Sequence, residues 1–301
     1  MKHSKLFLFA AFILVSAAYC GRADDGSHSH AVGTEGYSQA PLGFSLSGGW
    51  LDPWPHRHFS RRNTPFIHNF SLEPAFLDRD FFLDARFARG EDEDELEIEA
   101  ELEWALTRRI GMVFEVPYIS LDPDAGGSQS GIGDMAIAPR FLLAETERVI
   151  LSANLEIGLP SGDSSRDLGS GELGLAPSAS AWVDLGNWFS VGAQLGTEHG
   201  LESGSAEFFY NVGLGYSFLT RGSKDSIELR HFPSGMSNLI IELTGRTPLD
   251  GPERGSHSLE ALFGASYNIN GRWEMRGGYQ VPVGGPQEFD DAVVLSLIHH
   301  F

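Results

Sequence analysis

Residues 95–106 read Glu-Leu-Glu-Ile-Glu-Ala-Glu-Leu-Glu-Trp-Ala-Leu, and the fold turns on whether they form a helix or a strand. Glutamate holds every odd position from 95 to 103, while Leu96, Ile98, Ala100, Leu102, Trp104 and Leu106 hold the even ones. On a helix, residues two apart lie about 200° apart around the axis. Leu96 and Ile98 would then face opposite sides, and Glu95/Glu99, Glu97/Glu101 and Glu99/Glu103 would repel at four-residue spacing. A strand sorts the same residues into one apolar face and one face of carboxylates. The stretch is a strand; whether water or lipid meets its apolar face depends on the rest of the chain.

The chain has 301 residues, with 41 Asp+Glu against 21 Lys+Arg. That acidity argues against nucleic acid or an anionic membrane surface as partner. Beyond the first twenty residues no apolar run approaches the eighteen or so that a membrane-spanning helix needs. A chain of this kind that crosses a bilayer must do so as a closed β-barrel. The N-terminus reads as a secretory signal over residues 1–23: Lys2 and Lys5, an apolar core from Leu6 to Val15, then small residues, with cleavage after Ala23 favoured over Ala18 or Cys20. Lipidation at Cys20 is disfavoured because Tyr19 precedes it. Cleavage after Cys20 or Ala23 leaves no cysteine and hence no disulfide.

Residues 24–78 form an irregular N-terminal segment, read as either a plug or a periplasmic extension. Its first part is rich in Gly, Ser, His and Asp, with breakers at Pro53, Pro55 and Pro65. Trp50 and Trp54 imply that part of it packs on something, and the expected place is in or under the barrel. His28/His30 and His56/His58 are His-x-His pairs, but no carboxylate or thiol is placed as a third ligand, so no metal site is assigned.

From residue 79 the alternation of the opening stretch recurs. Strands are expected over 80–88, 95–106, 111–119, 132–144, 149–159, 172–185, 188–198, 206–218, 238–247, 258–269, 272–282 and 291–301. These are twelve strands, an even number, as in single-chain outer-membrane barrels. With Phe301 at the periplasmic end, the turns at 107–110, 145–148, 186–187 and 269–271 fall inside and are short. The connections 120–131, 160–171, 199–205, 248–257 and 283–290 fall outside and are longer. The stretch 219–237 breaks this rule, being long yet periplasmic, with Ser226 to Phe232 as a strand-like or helix-like insert. Pro117, Pro139 and Pro177 lie inside strands, where each removes a ladder donor, so bulges or local breaks are expected there.

Aromatic placement decides the environment. In 206–218 the apolar face begins with Phe208 and Tyr210, ends with Tyr216 and Phe218, and has Val212 and Leu214 between. Ten residues at about 3.3 Å, tilted roughly 40°, rise about 25 Å, the height of a lipid-facing band between aromatic girdles. Trp104, Tyr118, Tyr267, Trp273 and Tyr279 also fall near strand ends on the apolar parity, where amphipathic rings settle at an interface. The fold class is therefore all-β: a transmembrane antiparallel up-and-down barrel spanning 79–301 in the bacterial outer membrane, with lipid outside and a polar lumen.

The other parity then faces the lumen. It carries Asp84, Arg86, Glu95, Glu97, Glu99, Glu101, Glu103, Glu115, Asp134, Arg140, Glu156, Glu172, Asp184, Glu242 and Arg246, together with Glu207, Glu260, Arg272, Glu274 and Arg276. Glutamates about 7 Å apart repel and need cations, protons or arginines nearby. Two readings follow: an acidic pore favouring cations or neutral solutes, or a partly filled interior in which Arg86, Arg140 and Arg246 neutralise the carboxylates.

Gly131-x-Gly133-Asp134 with Arg140, followed by Leu159-Pro160-Ser161-Gly162-Asp163, resembles the outer-membrane family named after the meta-pathway of phenol degradation. The family commonly has Thr where Ser161 stands. The terminal Val-Leu-Ser-Leu-Ile-His-His-Phe resembles the barrel-assembly signal, with His299 where an aromatic is often found. The resemblance covers about 80–301 and implies a transport channel for small molecules or ions, recognised by the assembly machinery through the strand ending in Phe301. It does not make phenol the substrate. No cofactor is implied. An enzyme is not expected: no Gly-x-Ser-x-Gly elbow occurs, and the best acid–base pair, Glu198 beside His199, reads as loop polarity. A closed barrel serving structure or surface binding is the rival.

Overall fold

The computed structural model describes residues 39–221 and 231–301. The expected signal peptide, Cys20, His28/His30 and residues 226–230 lie outside the described residues. The strands are β1 (Arg79–Arg89), β2 (Glu93–Ala105), β3 (Ile110–Pro123), β4 (Gln129–Ile132), β5 (Met135–Glu145), β6 (Val149–Leu159), β7 (Gly174–Gly186), β8 (Phe189–Gly200), β9 (Ala206–Leu219), β10 (Met236–Pro248), β11 (Ser258–Asn270), β12 (Trp273–Gly284) and β13 (Asp291–His300). Every ladder is antiparallel. β1 pairs β13 from Asp80↔His300 to Arg89↔Asp291 and pairs β2 on its other flank, and β2 pairs β3, so the sheet closes on itself.

β4 and β5 share one stave. Residues 110–115 of β3 pair with β5 and residues 118–121 with β4, so the barrel has twelve staves. This corrects the expected loop at 120–131, because β3 runs on to Pro123 and Gln129–Ile132 pairs back onto it. The β1–β2 connection at 90–92 is also short, although it lies at the outer end.

The prolines interrupt pairing on one flank each. Pro117 sits where β3 changes partner from β5 to β4. The β5–β6 pairing skips residues 138–139 beside Pro139, and the β7–β8 pairing skips 176–177 beside Pro177. A closed barrel tolerates the lost donors as local gaps. The β7–β8 hairpin turns at Asn187 and Trp188, both at positive φ (53° and 68°), which matches the right-handed twist of the flanking strands.

The polarity is that of a membrane barrel. Phe263 and Leu239 are 54% and 51% exposed, and Leu195, Val212, Leu214, Ile241, Tyr118, Trp273 and Tyr279 are exposed beside them on the outward parity. Glu242 and Asn268 are 1% and 0% exposed, with Asn154, Ser180, Gln194, Asn211 and Ser217 also buried on the inward one. Water would drive the opposite arrangement, and lipid requires this one.

Residues 57–77 make their contacts with inward-facing side chains of the wall. Phe66, Ala75, Phe76 and Leu77 form one apolar cluster with Ala105, Leu142, Ile150 and Trp182, with Trp54 packed against it. The Phe66 and Phe76 rings stack at 4.5 Å, and Trp182 meets Phe66 edge-on at 5.0 Å. Trp54 donates from Nε1 to the Leu77 carbonyl (3.0 Å), while Trp50 lies beside the Arg109 guanidinium at 5.3 Å. A second cluster joins Phe59 to Phe232 and Met236.

Candidate functional site

Register sets the glutamate ladder in layers. Counting outward from the periplasmic end, Glu103 pairs with Asp80, Glu101 with Phe82, Glu99 with Asp84, Glu97 with Arg86 and Glu95 with Ala88. On the other flank Glu101 stands directly opposite Glu115, and Glu99 opposite Pro117. The apolar outward face of β2 forces all five glutamates inward, so like charges gather on one wall.

The innermost member is neutralised. Arg140 Nη1 lies 3.1 Å from Glu103 and 3.2 Å from Glu73, and its Nη2 donates to the carbonyls of Pro74 and Phe76. A buried guanidinium shared between carboxylates and carbonyls ties strand to segment. Further out, Arg86 takes Glu95 (3.0 Å), Asp84 takes Arg276 (3.0 Å), and Arg246 takes Glu207 (2.7 Å) and Glu198 (3.4 Å). Among the described residues Glu97, Glu99, Glu101 and Glu115 make no ion pair or side-chain hydrogen bond. Carboxylate oxygens of Glu73, Glu101 and Glu115 lie within 4.8 Å of one another. A small cavity next to them is lined by Glu73, Glu115, Arg140, Asn154, Glu156 and Phe209 among others.

The inner end is built from segment and wall together. Glu242 accepts the backbone N–H of Phe70 (2.6 Å) and of Ser71 (3.0 Å). Arg276 donates to the carbonyls of His68 and Asn69, Asn211 to that of Ser71 (3.0 Å), and Gln194 accepts the Glu73 N–H (3.2 Å). At the rim Glu145 gathers Arg57, Arg61 (3.3 Å) and Arg108 (2.9 Å), and Asp184 accepts from Ser60 (2.7 Å) and Thr64 (2.8 Å). The wall leaves room for this chain. A Cβ at Gly213 would run into the Asn69 side chain, and one at Gly264 into the Phe70 ring.

Four expected lumen charges serve elsewhere. Asp134 and Glu172 do not line a passage; they tie extracellular loops. Asp134 accepts the Gly162 N–H (2.8 Å) and both the N–H and hydroxyl of Ser170 (2.7 Å each), while Ser161 accepts the Met135 N–H (2.8 Å). Burial alone would raise the Asp134 pKa, but these hydrogen bonds outweigh it and hold the carboxyl below its usual range. The motif residues therefore build a loop brace. Glu172 accepts the Ser203 hydroxyl and the N–H groups of Ser203 and Glu202, which hold its carboxyl low as well. Asp184 anchors the segment at the rim, and Arg272 sits exposed in the β11–β12 turn. The pair Glu198 and His199 is split between faces: His199 lies 2.9 Å from Thr197, and Glu198 faces Arg246.

Sequence reasoning did not assign Glu73, Glu145, His58, His68, Asp78 or Asp80. The His-x-His pair at 56 and 58 was the available signal. Its carboxylate neighbours arrive through the fold, from the end of the segment and the start of β1.

With this geometry in view, residues 92–227 match the model of the family described as MetA-pathway of phenol degradation. Over those residues the chain is similar to that family. The match holds both motifs and the whole glutamate ladder, and stops short of the C-terminal strands. Comparison with curated proteins finds no match. Among solved structures, an outer-membrane channel from Pseudomonas putida F1 is similar at TM-score 0.59 and 12% identity, over 78% of this chain and 100% of that one. The NanC porin is similar at TM-score 0.51 and 8% identity, over 73% of this chain and 99% of that one. Identities this low speak to the fold, and the fold of this chain is an outer-membrane barrel.

Proposed function

We propose that this barrel is a channel whose outer half is an acidic vestibule for small cationic or uncharged solutes, and whose inner half is held closed by residues 57–77. The observation that carries the reading is the row Glu97, Glu99, Glu101 and Glu115, inward-facing and without ion-pair partners, set on the outer side of the Arg140 layer. Unpaired carboxylates in a water-filled barrel raise the local cation concentration and oppose anions. The two similar structures, an outer-membrane channel and a porin, support the same class. Insertion through the assembly machinery by the strand ending in Phe301 is part of the proposal.

The test is conductance of the full-length protein in a planar bilayer under a KCl gradient. Cation-selective current is expected, and Glu97→Gln/Glu99→Gln/Glu101→Gln should shift the reversal potential toward zero. Unchanged selectivity in that variant would sink the vestibule role. A wild type that never conducts supports the second reading, a plugged structural or surface-binding barrel, which the filled inner end favours.

A further inference from the structure

At the inner end three buried carboxylates, Asp78, Asp80 and Glu274, meet histidines where arginine or lysine would ordinarily stand. His58 Nδ1 lies 3.0 Å from Asp78 Oδ2, and His68 Nε2 lies 3.0 Å from Asp80 Oδ2. His300 Nδ1 lies 2.9 Å from Asp80 Oδ1, and its Nε2 lies 3.6 Å from Glu274. None of these six residues is more than 3% exposed. Among the described residues no arginine or lysine pairs with any of the three carboxylates.

The group spans the boundary between segment and wall. His58 and His68 come from the segment, Asp78 from its end, Asp80 from β1, Glu274 from β12 and His300 from β13. Ligand atoms of His68, Asp78 and Asp80 all lie within 4.8 Å of one another. His58 Nε2 and His68 Nδ1 have no hydrogen-bond partner although both are buried. Carboxylates in a dry interior need counter-charge. Neutral imidazoles supply none, and a divalent cation supplies two.

We infer that His68 Nε2, Asp78 and Asp80 bind one divalent transition metal of the zinc class, which fastens the segment to β1. One imidazole and two carboxylates are a zinc-type donor set, whereas calcium takes six to eight oxygens, more than this pocket offers. Bonds of about 2.0–2.2 Å place tetrahedral ligand atoms roughly 3.3 Å apart, so side-chain rotations of about an ångström close the site. His58 on Asp78 and His300 on Asp80 are then the outer partners that orient the ligating carboxylates. The metal takes a deprotonated Nε2, so any proton that His68 carries there is released on binding.

The experiment reads metal content, so its outcome stands apart from whether the barrel conducts. Tag-free full-length protein, folded in detergent and stripped with chelator, is dialysed against Zn²⁺. One equivalent per chain is expected in the wild type and in Glu101→Gln, which alters the separate carboxylate cluster. Binding should vanish in His68→Gln and Asp78→Asn and weaken about 10–100-fold in His58→Gln. Heat-dependent gel mobility reports that each variant is folded. Where a substitution prevents folding, Co²⁺ loading of the wild type decides, with intense tetrahedral d–d bands expected. No stoichiometric Zn²⁺, equal binding in folded His68→Gln, or a weak octahedral Co²⁺ spectrum overturns the site and leaves proton-bridged pairs holding the segment.

Discussion

A carboxylate's role here depends on what stands within 3 Å of it more than on which face of a strand it occupies. Glu172 shows this at the outer end. Its oxygens receive the Ser203 hydroxyl (2.5 Å) and the N–H groups of Glu202 (2.6 Å) and Ser203 (2.7 Å), tying the 160–173 connection to the 201–205 loop. These bonds favour the charged form, so its folded pKa lies below the ordinary value. The tie is therefore complete above the ordinary glutamate range and is lost as pH falls through the folded value. The amide NMR shifts of Glu202 and Ser203 should titrate together, with a midpoint below that of an exposed glutamate. In Glu172→Gln they should not move over the same range. Parity placed Glu172 and Asp134 in the lumen because it cannot see a loop folding back over a strand end; only the positions of Gly162, Ser170 and Ser203 reveal that use.

At the scale of the strand, alternation was enough. The expected 149–159 strand agrees with Val149–Leu159, and most other boundaries fall within two or three residues, because lipid outside and water inside impose a strict period of two. The misses have local causes. At 120–131, Ser and Gly obscured the pairing of Gln129–Ile132, and Gly133-Asp134 splits β4 from β5 where the loop brace enters. The same inversion of faces makes a quantitative prediction. Val212, midway along β9 on the outward face, should cost about 2–4 kcal/mol when replaced by Arg, measured by urea unfolding from lipid vesicles. Its inward neighbour Asn211, which bonds Ser71 and Gln194, should respond to replacement by Leu through the segment and leave vesicle insertion intact.

The whole molecule is a wall and a filling that match each other. The filling was not legible in the sequence, since residues 57–77 carry no period and their partners lie up to 208 residues away, as for Arg276 and His68. Trp50 and Trp54 pointed to packing in or under the barrel, without naming the partners. Glycines in the wall record the match from the other side. Leu at Gly213 and Gly264 would occupy the space of Asn69 and Phe70 without altering any charge. The Gly213→Leu/Gly264→Leu variant should push the segment away from the wall and raise single-channel conductance over that of the wild type. Unchanged conductance in a folded double variant would count against the segment as the closing element.

The irregular backbone of the segment also acts as a solvent. A chain without helix or ladder must find partners for its own N–H and C=O groups, and a polar wall without water must find partners for its side chains. Phe70 and Ser71 N–H groups on Glu242, and the His68, Asn69 and Ser71 carbonyls on Arg276 and Asn211, answer both needs at once. Water can answer them separately. Leaving the lumen is thus an exchange reaction, peptide for water at each site, with a net value of about 0.5–1.5 kcal/mol per ordinary bond and more where a charge is involved. In the closed barrel proposed above, the number of such exchanges made together holds the segment in place, and a change that removes a few of them tips the balance.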